Sequence, residues 1–82
     1  MKTFNSAEAH AEWTASEVRA QMARQGKARA DLAALLGVTP QTAGRRMSGA
    51  VPFDVIELSM VADWLGVPTT SLILDAIGGD AA

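Results

Sequence analysis

The run Leu32-Ala33-Ala34-Leu35-Leu36-Gly37-Val38-Thr39-Pro40-Gln41-Thr42-Ala43-Gly44-Arg45-Arg46-Met47-Ser48-Gly49 decides the fold. Leu32, Leu35 and Leu36 stand at i, i+3 and i+4, the stripe of a short amphipathic helix, and Gly37 ends it. Thr39 suits a helix N-cap, and Pro40 suits the first helical position, where no backbone N–H is needed. The helix that follows, third in the chain, therefore runs from about Pro40 to Ser48 and stops at Gly49. Each small residue has a geometric reason. Ala33 leaves room where the second helix crosses the first, Gly37 allows a left-handed turn, and Val38 fills the gap below that turn.

Two short helices joined by a turn of about three residues containing glycine form a helix-turn-helix. The flanks read as helix as well. Upstream, Asn5-Ser6-Ala7-Glu8 and Thr14-Ala15-Ser16-Glu17 both fit a capping box, so either could open the first helix. One option is a single helix from about Ser6 to Gln25. The other is a short N-terminal helix followed by a main one from about Ala15. Gly26 is the expected stop, with Val18 and Met22 as the inner stripe. The segment from Ala28 to Leu36 is the second helix. Downstream, Asp54-Val55-Ile56-Glu57 is another capping box, opening a helix with Leu58, Val61, Ala62 and Leu65 inward and Gly66 at its end. A last helix is expected from Ser71 to Ile77, closed by Gly78-Gly79. The chain holds 16 alanines among 82 residues and only four aromatics, a composition that favours helix over strand. The expected fold class is all-α, in one domain, because a chain this short supports one core.

Several function classes fall away on composition. There is no cysteine, hence no disulfide scaffold, thiolate nucleophile or Cys-ligated zinc. A single histidine, His10, cannot form a His-cluster metal site within one chain. His10 reads as a surface residue, and Trp13 and Trp64 as core or interface aromatics. No apolar run approaches the ~20 residues that span a bilayer. No Ser/His/Asp or paired-carboxylate arrangement stands out, so no catalytic residue, cofactor, metal or small-molecule ligand is expected.

The net charge of −2 is unevenly spread. Between Arg19 and Gly49, six basic residues (Arg19, Arg24, Lys27, Arg29, Arg45, Arg46) face one acid, Asp31. Outside that segment Lys2 stands against eight acids. The cationic middle coincides with the helix-turn-helix, and a local field steers an anion more than the total charge does. On the second helix of the motif, Ala43 and Met47 point one way, toward the core. Gln41, Arg45 and Ser48 fall on a narrow opposite arc, with Thr42 beside them. An amide, a guanidinium and hydroxyls can read base edges: Arg pairs with guanine O6 and N7, Gln with adenine N6 and N7. Arg46 lies to one side, better placed for a phosphate. Lys27 and Arg29 are further phosphate candidates. Gly44 is expected to serve either close packing on the second helix or close approach to DNA.

With these residues in place, the chain resembles the Cro/phage-repressor (XRE-type) helix-turn-helix family. The likeness rests on Leu32-Ala33, Leu36-Gly37-Val38, Arg45-Arg46-Met47, Gly49, Pro52-Phe53, Glu57-Leu58, Val61-Ala62 and Leu65-Gly66-Val67. It extends from about Arg19 to Leu74, roughly two-thirds of the chain. The resemblance implies a compact five-helix, lambda-repressor-like DNA-binding domain. By position, Gln41, Thr42, Gly44, Arg45 and Ser48 would face the major groove, and Arg29 would meet a phosphate. Three residues depart from the family's habit. Ala28 stands where Ser or Thr often caps the second helix, Pro40 where Gln often opens the third, and Ala43 where a branched residue is common.

The organisation expected is an N-terminal extension over residues 1–13, a domain over 14–78 with its helix-turn-helix at about 28–49, and a tail over 79–82. The function expected is a sequence-specific regulator of transcription, of phage Cro or repressor type, that occludes operator DNA. A symmetric homodimer is expected, at least on DNA, with helix five (Leu72, Ile73, Leu74, Ile77) as the candidate dimer contact. The expected location is the cytoplasm of a bacterial host, at the nucleoid. The competing expectation is a protein-interaction module of the same fold, such as an antirepressor or an antitoxin-like partner.

Overall fold

The computed structural model describes residues 7–73. Four α-helices follow in order: α1 (Ala7–Gln25), α2 (Arg29–Leu36), α3 (Pro40–Ser48) and α4 (Val55–Leu65), then a 3-10 turn over Thr69–Leu72. Among the described residues there is no strand.

α1 is one continuous helix, the first of the two options the capping boxes left open. The inner box, Thr14 to Glu17, does not start anything. Ser16 Oγ instead donates to the carbonyl of Trp13 at 2.8 Å, a hydroxyl satisfied inside the helix. The outer box begins at Asn5 and Ser6, outside the described residues. Ala15, Val18 and Met22 form the buried stripe of α1.

α2 begins after Ala28, whose methyl cannot cap. The gap is met from inside the helix, where Asp31 Oδ2 accepts from the Ala28 N–H at 2.7 Å. In α3, Thr39 Oγ1 accepts from the Thr42 N–H at 3.1 Å, and Pro40 takes the first position. α4 opens with a complete capping box: Asp54 accepts from Glu57 N–H at 2.7 Å, and Glu57 accepts from Asp54 N–H at 3.0 Å.

The core gathers Val18 and Met22 of α1, Leu32 and Ala33 of α2, Ala43 of α3, Leu58, Val61, Ala62 and Leu65 of α4, and Leu72. Val38, Met47, Phe53 and Trp64 pack against it from the half-buried shell. Ala43 is fully buried. Its small side chain lets α3 approach the core closely, so the branched residue common elsewhere is not needed here.

The expected fifth helix is not what the described residues contain. Thr69–Leu72 forms a single 3-10 turn, and Ile73 turns to an extended conformation at φ −106° and ψ 134°. The remaining residues expected in that helix, 74–77, and the Gly78-Gly79 stop lie outside the described residues. Leu72 is fully buried, spent on this domain's own core, so it is not free to make a dimer contact.

Candidate nucleic-acid interface

α3 is held by both ends and by its underside. Its N-terminus is fixed by the Thr39 cap. Its C-terminus closes on Gly49, in the left-handed conformation at φ +85°. A Cβ at Gly49 would stand 3.1 Å from Glu12 Cα, so the cap of α3 lies directly on the backbone of α1. Arg19 of α1 donates from Nη1 to the carbonyl of Met47, in the last turn of α3. A cation there also suits the negative end of the helix dipole. On the other flank, Arg46 makes a two-pronged pair with Glu57 of α4, Nε to Oε1 at 2.9 Å and Nη2 to Oε2 at 3.0 Å. Both side chains are mostly sheltered, 18% and 15% exposed. The guanidinium hydrogen bond holds the Glu57 carboxyl below the usual carboxylate range, against an opposing push from burial. The same bond raises Arg46 above its ordinary value.

What α3 leaves outward is a short polar edge. Gln41, Arg45 and Ser48 are exposed, and Thr42 is half-buried. Among the described residues, the side chains of Gln41 and Arg45 have no hydrogen-bond or ion-pair partner. Thr42 Oγ1 accepts from the Thr39 hydroxyl at 3.1 Å and keeps its own O–H to donate. Ser48 is less available. Its hydroxyl donates to the Arg45 carbonyl at 3.1 Å and accepts from the Ala50 N–H at 3.2 Å.

A two-helix motif capped, cross-tied and presenting an unpaired amide and guanidinium is built to hold an outward helix rigid. A family model described as the BetR domain matches residues 9–81. The chain belongs to the BetR-domain family. That match covers nearly all of it, including the N-terminal half of α1 that the XRE-type resemblance left out. The family is of the helix-turn-helix DNA-binding kind, as the resemblance implied. No curated protein matches the chain. Among solved structures, the DNA-binding domain of BldD is similar over 83% of this chain and 99% of its own, at TM-score 0.69 and 21% identity. The clp gene regulator ClgR from C. glutamicum is similar over 85% of this chain and 91% of its own, at TM-score 0.69 and 23% identity. HppE is similar over 89% of this chain, at TM-score 0.73 and 26% identity, but only 41% of HppE is covered. The fold thus recurs as the DNA-binding domain of BldD and as part of the HppE chain.

Within this BetR-domain chain, the geometry sorts the expected site residues. Gln41, Thr42 and Arg45 stand together on the exposed edge. Arg29 lies across Gly44: a Cβ there would be 3.0 Å from Arg29 Nη1 and 3.3 Å from its Cδ. The Arg29 side chain thus lies along the space that a side chain at Gly44 would occupy. Two phosphate candidates are engaged elsewhere. Lys27 Nζ sits 5.1 Å from the centroid of the Trp64 ring, drawn toward α4 by a cation–π contact. Arg46 is turned to Glu57. Sequence periodicity placed both on the surface but could not see a partner arriving from α4. Arg19 was counted in the cationic segment and given no role. Its one available signal was its place beside Val18, on the flank of the α1 stripe that faces α3.

Proposed function

We propose that the chain is a sequence-specific regulator that binds double-stranded operator DNA by laying α3 in the major groove and so blocks transcription. The observation that carries this is the exposed edge of α3, where Gln41, Thr42 and Arg45 keep polar groups unspent. In such an edge the Arg45 fork suits guanine and the Gln41 amide suits adenine. Arg29 supplies a phosphate contact at the start of α2. Lys27 and Arg46 serve the protein's own packing in this reading, and Ser48 contributes more to the end of α3 than to base readout. The resemblance to Cro and phage repressors makes repression by occlusion the favoured sign of regulation, acting at the nucleoid of a bacterial cytoplasm. No helix among the described residues is long and apolar enough to cross a membrane.

A single module of this size reads a short half-site, so we propose a homodimer on a near-palindrome. The dimer face favoured by exposure is on α4, where Val55, Ile56 and Met60 are 78%, 67% and 39% exposed. α4 carries no lysine or arginine, and its Glu57 is neutralised by Arg46. The three side chains of the patch are uncharged, while the exposed carboxylates of Asp54 and Asp63 flank it in the chain and would have to stay at the rim of a two-fold interface. Three side chains fall well short of the ~800 Å² per partner of a standard interface. Pairing is accordingly expected on DNA rather than in free solution.

The test is selection of bound sites from random duplex DNA, repeated with Arg45→Ala. The expected outcome is an enriched half-site, with the variant losing ~1–3 kcal/mol and its preference at one base pair. Unchanged affinity and unchanged site preference for Arg45→Ala would remove α3 as the reading helix. An absence of any salt-sensitive duplex binding would favour the protein-interaction module instead.

A further inference from the structure

Base readout, packing on Trp64 and the α4 pair leave three arginines of the cationic segment, Arg19, Arg24 and Arg29, and two of these meet at one cleft. Arg19 and Arg29 both line an open cleft of about 540 Å³, together with Gly44, Met47 and Ser48. Arg29 enters from α2 and rests on Gly44. Arg19 enters from α1 and is steadied at one N–H by the Met47 carbonyl. A guanidinium has five N–H groups, so four remain on Arg19. Among the described residues, neither arginine has a carboxylate partner; the one ion pair there is Arg46–Glu57. Two unneutralised guanidiniums at one small cleft repel each other unless an anion lies between them. Met47 gives the cleft an apolar wall, which strengthens the field of both charges.

We propose that this cleft is a two-armed seat for one DNA backbone phosphate, with Arg19 as the second arm. The inference rests on the DNA-binding reading above and adds a residue to it. Gly44 and Met47 are about one helical turn apart, a rise of ~5 Å. Both forks can therefore address the same phosphodiester, and arginine forks match phosphate oxygens in pairs. Ser48 borders both the cleft and the exposed edge of α3. A phosphate seated here belongs to the strand bounding the groove that α3 would enter. The contact fixes register and carries no sequence information.

The experiment measures affinity against salt for the parent, Arg19→Gln and Arg19→Lys, on the selected site and on random duplex. A second arm replaces single phosphates of the selected site by neutral methylphosphonates. Arg19→Gln is expected to weaken both duplexes by the same factor, roughly tenfold at low salt. The slope of log K against log salt should fall by about one. Arg19→Lys keeps the charge and is expected to restore the slope. One methylphosphonate position should weaken the parent more than it weakens Arg19→Gln, which keeps only the Arg29 arm. A loss of fold stability alone would lower affinity without moving the slope, and that pattern overturns the proposal. So does a methylphosphonate penalty equal in parent and variant at every position. If either occurs while Arg45→Ala still alters site preference, the DNA reading survives without this seat.

Discussion

At Gly49 two separate demands meet on one residue. Its φ of +85° disfavours any side chain, and its missing Cβ leaves room for Glu12 Cα of α1 at 3.1 Å. Gly37, at φ +69°, meets only the first demand, because nothing lies within 4 Å of where its Cβ would be. The left-handed conformation alone costs a non-glycine residue roughly 1–2 kcal/mol. Gly37→Ala should therefore lower Tm by about 5–10 °C, on a scale of ~4–8 °C per kcal/mol for a domain of this size. Gly49→Ala should cost about twice as much, because the clashing atom is backbone and α1 must move to relieve it. Thermal melts of the two variants check this; equal losses would mean that α1 is not seated on the end of α3.

Between elements, the Arg46–Glu57 pair joins the last turn of α3 to the first turn of α4. Glu57 also accepts from the Asp54 N–H, so one carboxylate serves as cap and strap. Glu57→Gln keeps the shape and loses the charge, at an expected cost of ~1–2 kcal/mol near neutral pH. The pH dependence follows from the lowered carboxyl of Glu57. Its stabilisation is fully present above the unfolded-chain value, about 4.3 for glutamate. It is lost as pH falls through the lower folded value. The gap between parent and Glu57→Gln, measured by urea unfolding, should stay level from neutral pH to about 5 and close below about 4. A gap that widens in acid would show that the pair does not stabilise the fold.

For the molecule as a whole, the free surface decides how copies meet. Leu72 is committed to the interior, whereas Val55 and Ile56 project outward from the start of α4. The strap to Arg46 ties that face rigidly to α3. Two copies joined there would hold two reading helices at a fixed separation, as half-sites about one helical turn apart require. Ile56→Asp places like charges on a two-fold axis. It should abolish cooperative filling of a palindromic site while leaving binding to a single half-site within about twofold. Band-shift titrations on one and two half-sites measure both. Cooperative filling by the variant equal to that of the parent would move the dimer face elsewhere.

The sequence by itself determined where α2, α3 and α4 start and where α1 to α4 stop, because those signals are local. Thr39-Pro40, the Asp54–Glu57 box and the glycines at 26, 37, 49 and 66 act on backbone groups a few residues away. Hydrophobic spacing likewise fixed which faces of α1 to α4 turn inward, and it put Gln41 and Arg45 outward. The partners of long cationic side chains were beyond it. Lys27 is matched with Trp64 and Arg46 with Glu57 across helices whose packing no spacing rule encodes. Arg19 comes to the end of α3, and Glu12 beneath Gly49, along an α1 that runs unbroken through the inner capping box. A flexible side chain several bonds long takes its direction from whichever charge, ring or carbonyl the tertiary packing brings within reach. Which of the basic residues found a partner within the protein was therefore decided by the folded arrangement and not by the order of residues alone.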